Sequence, residues 1–213
     1  MAAPALRPSR RYTSPARTAQ AELTRQKIAD AARAVLLERG YEATTIGAIA
    51  ERAGVAVQTV YAGFGSKRGI VAALLDQVRF GPAYAELVRQ VSQTHDPAAR
   101  LRIAARIANQ IHDAERGEME LLRGTVAVSP DLAQIEADNE CRRRDAQASL
   151  VAALQASGQL RPELSVDDAR DILWGLTGRD LYRAFVVIRT WPSSRFEQWL
   201  ADTLVRSLLR DQR

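Results

Sequence analysis

The stretch AIAERAGVAVQTVYAGFGSKRGI, residues 48–70, leaves a folding chain few choices. Ile46, Ile49, Ala50 and Ala53 recur at offsets 0, 3, 4 and 7, the spacing of one buried helix face. Thr44 or Thr45 can cap that helix, because a hydroxyl accepts from the orphan amides of a first turn. Gly54 ends it by supplying a positive φ at little steric cost. The next run, from about Val57 to Gly63, is only two turns long and must borrow stability from packing, through Val60 and Phe64. Two helices joined by a tight glycine turn, the second short, make a helix-turn-helix. Ala50 is small enough for the close crossing.

With Val60 facing inward, Val57, Gln58, Thr59, Tyr61 and Ala62 fall on or near the outward side of the short helix. A helix presented this way fits the major groove of a duplex. Gln58 alone among them can both donate to and accept from a base edge, with adenine its best match. Val57 and Ala62 suit thymine methyl groups, and the Thr59 and Tyr61 hydroxyls suit phosphate oxygens. Ser66 can cap a following helix carrying Ile70, Leu74 and Val78 inward. Lys67, at that helix's first turn, is placed for a phosphate, and Thr44 and Thr45 join these residues as candidate DNA contacts.

The charge distribution points the same way. Eleven Lys and Arg stand against five acids up to residue 70, whereas nineteen basic and twenty acidic residues follow. The excess positive charge therefore sits in the N-terminal third, as for a polyanion partner of that third. Four of those arginines precede Thr18, in a segment with Pro4, Pro8 and Pro15 and no periodicity, which reads as a disordered basic arm over residues 1–20. No apolar run is long enough for a membrane span, and the start lacks a signal-peptide h-region. The single cysteine, Cys141, excludes an internal disulfide framework, and a cytoplasmic location is expected.

The remainder is helical in pattern, so the fold class is all-α. A helix from near Leu23 carries Ile28, Ala31, Ala32 and Val35 on one face and stops at Gly40. Later starts are marked by Asp96-Pro97, Ser129-Pro130, Ser165 with Asp168, and Ser194 with Glu197. Breaks are expected at Gly81-Pro82, Gly117, Gly158 and Trp191-Pro192. The boundaries are an arm over 1–20, a three-helix helix-turn-helix domain over 21–66, and a helical bundle over 67–213.

Enzyme chemistry finds little support. GFGSKRG lacks the spacing and the preceding strand of a phosphate-binding loop, and the only histidines, His95 and His112, make no metal-binding pair. No catalytic residues, metal or cofactor are expected.

The run TTIGAIAERAGVAVQTVYAGFGSKRGI resembles the DNA-binding domain of TetR-type transcriptional repressors. Thr44, Thr45, Ala50, Gly54, Thr59, Val60, Tyr61, Phe64 and Lys67 carry the resemblance, which covers roughly residues 24 to 72. Two positions depart from that pattern. Ala56 stands where a capping Ser or Thr is frequent, at a cost of about 1 kcal/mol, and Gly63 replaces a frequent second aromatic or histidine. The resemblance implies a homodimeric repressor that leaves a palindromic operator when a small molecule binds its C-terminal domain. An activator, or a DNA-binding protein without an effector, is the alternative.

The C-terminal helices are less sharply marked. Two final helices, about 166–189 and 194–210, carry long apolar faces, and the resemblance implies that they pair with those of a second subunit. Leu173, Leu181, Phe185, Trp199, Leu200 and Leu204 are the candidate interface. Asn109, His112, Met119, Arg123, Trp174 and Tyr182, large or polar residues within apolar helical patterns, are the candidate pocket. The expected effector is apolar or aromatic.

Overall fold

The computed structural model describes residues 15–126 and 129–210, apart from the side chains of Pro15 and of residues 117–126. Every regular element among them is helical, in agreement with the expected all-α class. Helix α1 (Pro15–Ala43) starts well before Leu23, so residues 15–20, expected in the arm, belong to a helix. The rest of the arm lies outside the described residues. Gly40 interrupts α1 with φ +73° and ψ 173°, a conformation open to glycine, and the last turn leaves in a new direction.

Helix α2 (Ile46–Ala53) has Thr45 as its N-cap, the Thr45 hydroxyl accepting from the Ala48 amide at 3.1 Å. Gly54, in the left-handed region, closes it. Helix α3 (Val57–Phe64) begins at Ala56, which offers no side-chain cap. Helix α4 (Lys67–Arg79) is capped by the Ser66 hydroxyl, which accepts from the Gly69 amide. Gly69 itself is obligatory for a different reason. A Cβ there would collide with the Phe64 carbonyl oxygen, so the α3–α4 turn closes directly on its bare backbone.

Beyond α4 run α5 (Pro82–Gln93), α6 (Pro97–Val126), α7 (Pro130–Ala156), α8 (Val166–Leu176), α9 (Arg179–Tyr182) with a π-helical continuation over Arg183–Ile188, and α10 (Ser193–Leu208). Asp96 caps α6, and Ser165 with Asp168 forms the expected capping box of α8. Four expectations fail. The α6 backbone passes through Gly117 without a break, since one glycine costs about 1 kcal/mol against many other helical bonds. Ser129 gives α7 no side-chain cap. The predicted helix over 166–189 breaks at Thr177 and Gly178. Finally, α10 starts at Ser193 behind Pro192, and Glu197 turns to Arg106 and Asn109 instead of closing a capping box with Ser194.

Three apolar clusters organise these helices. One, in the N-terminal domain, joins Ile28, Ala32 and Val35 of α1 to Ile49 and Ala50 of α2, Val60 of α3, and Ile70 and Leu74 of α4. A second, between the domains, joins Tyr41 to Val71 and Leu75 of α4 and to Leu132 and Ile135 of α7. The third is the C-terminal core of α6, α7, α8 and α10, with Leu101, Val151, Leu154, Leu173, Leu200 and Leu204 at its centre. Residues 70 and 71, and 74 and 75, point about 100° apart on a helix. Helix α4 thus belongs to both domains at once.

Candidate nucleic-acid interface

Helix α3 is held from behind and bare in front. Val60 is fully buried, whereas Val57 and Tyr61 are 42% and 49% exposed. Gln58, Thr59 and Ala62 are exposed beside them, so the five outward positions form the expected continuous row. At the far end Arg25 of α1 donates to the Gly63 carbonyl at 2.6 Å and lies over the Phe64 ring, 4.3 Å from its centroid. A cation at a helix C-terminus complements the carbonyl dipoles there, and this contact steadies a helix that lacks an N-terminal cap. Arg52 braces the previous helix through a two-pronged pair with Glu38, at 2.5 and 2.8 Å.

Two of the expected DNA contacts are turned inward. Thr44 is buried and its hydroxyl donates to the Gly40 carbonyl at 2.6 Å, closing the kinked end of α1. Its side chain cannot meet a phosphate. Lys67 donates to the Tyr41 carbonyl at 2.9 Å and sits 4.1 Å from the Tyr41 ring centroid, so its ammonium faces α1 rather than a ligand. Arg68, one residue on, is the exposed cation of that first turn. Thr45 remains at the surface, already engaged as the α2 cap.

Four of the candidate pocket residues, Asn109, His112, Trp174 and Tyr182, fall in a polar layer that adjoins the apolar core of the C-terminal domain. Thr177, where α8 breaks, is its hub. The Thr177 carbonyl accepts from His112 Nε2 at 3.1 Å, and its hydroxyl oxygen receives Arg143 and Gln147, each at 2.8 Å. Arg143 also lies 5.2 Å from the Trp174 ring centroid. Tyr182 donates to Asp113, and burial followed by that carboxylate pushes its phenol upward. Asn109 donates to the Ser193 hydroxyl oxygen at 2.8 Å. Asn109, His112, Trp174 and Tyr182 are therefore brought into one region. The side chains of Met119 and Arg123 lie outside the described residues. The Trp174 indole N–H and the Gln147 carbonyl oxygen are buried there without a protein partner.

Next to that layer is a group that the sequence reading missed. Arg79, in the last turn of α4, is 5% exposed and donates to Glu115 of α6, itself 2% exposed. The other Glu115 oxygen takes Arg179 of α9 at 2.5 Å, and Arg179 reaches Glu136 of α7 at 3.0 Å. Glu136 returns to Arg79 at 3.9 Å. Burial alone would push the Glu115 carboxyl up. The adjacent His112 ring and the Arg179 and Arg79 guanidinium groups outweigh it and hold the carboxyl down at about 2. The only sequence signal was a charge next to the inward-pointing Val78 and another one turn after His112.

The candidate dimer residues divide. Leu173, Leu200 and Leu204 are fully buried inside their own chain, so they build the intrachain core and are not available to a second subunit. An apolar stripe shows that a face is buried, not against what. Leu181, Phe185 and Trp199 are only partly covered, with Phe185 and Trp199 in a ring contact at 4.8 Å between centroids.

Comparison with known proteins agrees with this geometry. Residues 28–74 match the family model described as bacterial regulatory proteins, tetR family. The HTH-type transcriptional regulator YvkB of Bacillus subtilis (strain 168) is 46% identical over 54 residues, which are 25% of this chain and 29% of YvkB's own length. The probable HTH-type transcriptional regulator ArpR of Pseudomonas putida is 28% identical over 170 residues, spanning 75% of this chain and 81% of ArpR. Among solved structures, SmeT in complex with triclosan superimposes with a TM-score of 0.68 at 24% identity, covering 89% of this chain and 93% of SmeT. With an uncovered reading helix on an all-helical frame, and with these matches, residues 28–74 are a DNA-binding domain of the tetR family of bacterial regulatory proteins.

Proposed function

We propose that the chain is a homodimeric repressor that grips a palindromic operator through α3 and releases it when a small molecule enters the polar layer around Thr177. One observation carries the DNA reading: Val57, Gln58, Thr59, Tyr61 and Ala62 stand exposed in a row on a helix whose opposite side is fixed by Val60 and Arg25. Gln58 reads a base edge, Val57 and Ala62 meet methyl groups, and Thr59, Tyr61 and Arg68 hold phosphates. Two subunits would set their α3 helices about 34 Å apart, in successive major grooves. Leu181, Phe185 and Trp199 are the dimer residues retained. The effector reading is supported by the unpartnered Trp174 and Gln147 groups near Thr177 and by the triclosan held by SmeT. An aromatic molecule with a polar edge suits that lining, and the protein would act in the cytoplasm. Among the described residues no helix is long and apolar enough to cross a membrane.

Selection of bound fragments from random duplex DNA tests this function. A two-fold symmetric consensus is expected, and Gln58→Ala should relax it at one symmetric base pair by about 1–3 kcal/mol. A uniform loss across all sequences would show that Gln58 holds the backbone only.

A further inference from the structure

The Arg79–Glu115–Arg179–Glu136 ring is an unusual way to join helices. Arg79 and Glu115 are almost wholly removed from water, and apolar residues of the same volume generally hold a core at least as firmly as a buried ion pair. What charges add is direction. Each Glu115 oxygen serves one guanidinium, Oε1 that of Arg79 and Oε2 that of Arg179, while Glu136 faces both cations from the other side. The four charges come from four helices, α4, α6, α9 and α7, and they cancel. Arg79 can satisfy this ring from one position only.

The position of Arg79 is transmitted to the reading helix. Its own helix is pinned at the opposite end, where Lys67 donates to the Tyr41 carbonyl. Between the two ends, Ile70 and Leu74 lock α4 into the N-terminal core. The α3–α4 turn closes on the bare backbone of Gly69, so α3 cannot slide independently of α4. Arg179, in turn, is two residues from Thr177, and Glu115 is one turn from His112, so the ring borders the polar layer.

We infer that Arg79 is a positioning residue for operator recognition: its guanidinium, bridging Glu115 and Glu136, sets the tilt of α4 and through Gly69 the placement of α3. This rests on the DNA-binding reading above. The Arg79 bridge to Glu115 and Glu136, and not the local fold of α3, fixes how the two reading helices of a dimer are spaced.

The test uses the full chain and the fragments that wild type selects from random duplex DNA, together with copies lengthened by one or two base pairs between half-sites. Arg79→Met should lower affinity for the selected fragment at least tenfold and erase the preference for the original spacing, while helical content persists. Arg179→Met, which keeps the Arg79–Glu115 pair, should stay within threefold of wild type with the spacing preference intact. Arg79→Lys retains a charge but cannot span both carboxylates, and should fall between. If Arg79→Met does not fold, the lysine variant decides. A folded Arg79 variant with wild-type affinity and spacing preference would overturn the inference, as would equal losses in the Arg79 and Arg179 methionine variants. A wild type that selects no fragment overturns the DNA-binding reading itself, a different result from one in which wild type selects and the variants match it.

Discussion

Replacing Glu115 by glutamine removes the charge at the centre of the ring and keeps the shape. In the folded protein the Glu115 carboxyl is held at about 2, against an ordinary value of 4.5. Each unit of that difference is worth about 1.4 kcal/mol, so ionised Glu115 favours the folded state by roughly 3 kcal/mol. Removing one partner of a buried pair gives a similar figure, about 3–5 kcal/mol, because both arginines lose their main counter-charge. Since the folded-state value is lowered, this stabilisation is complete above pH 4.5. It disappears as pH falls toward 2, where the unfolded chain has already taken up the proton that the folded chain resists. Urea unfolding of wild type and Glu115→Gln at pH 7, 5, 4 and 3, at one protein concentration, measures the gap. Other carboxyl groups titrate in both proteins and cancel. The gap should be about 3 kcal/mol at pH 7 and 5 and close progressively below 4.5. A gap independent of pH would show that Glu115 acts by shape, and the ionic argument would fall.

Five substitutions in the reading head have outcomes that follow from its contacts. Gly69→Ala should cost about 1–3 kcal/mol in thermal unfolding and weaken DNA binding, because its Cβ meets the Phe64 carbonyl; Gly47→Ala, whose Cβ meets nothing nearer than Thr45 Oγ1 at 3.9 Å, should be neutral or stabilising. Ala56→Ser places a hydroxyl at an extended N-cap and should stabilise α3 by about 1 kcal/mol, seen as slower amide exchange over residues 57–63. Lys67→Met should destabilise the fold by about 2 kcal/mol and leave the slope of log affinity against log salt unchanged. Arg68→Met should flatten that slope by about one unit and leave stability intact.

What the sequence made legible was local. Thr45, Gly54, Ser66 and Val60 announce themselves because caps, turns and periodic burial depend on neighbours a few residues away. Lys67 was readable as a cation at a helix start but not as one folded back on Tyr41, 26 residues earlier. Periodicity marks Leu173, Leu200 and Leu204 as buried but gives the face and not the occupant, which is their own chain rather than a second subunit. The ionic ring was invisible for a deeper reason. Its members lie 36, 64 and 43 residues apart, and an isolated charge on a helix is ordinarily a solvated one. Only the tertiary fold converts Arg79 from surface to interior.

The double allegiance of α4 bears on anyone wishing to transplant this reading head. A graft cut at residue 66, the domain boundary expected from the sequence, would discard Ile70 and Leu74, each worth about 1.5–3 kcal/mol of burial to the N-terminal core. It would also strip Tyr41 of its seat against Leu132 and Ile135. Portable chimeras of this regulator therefore need a junction beyond Arg79, together with a recipient that supplies a carboxylate where Glu115 stands.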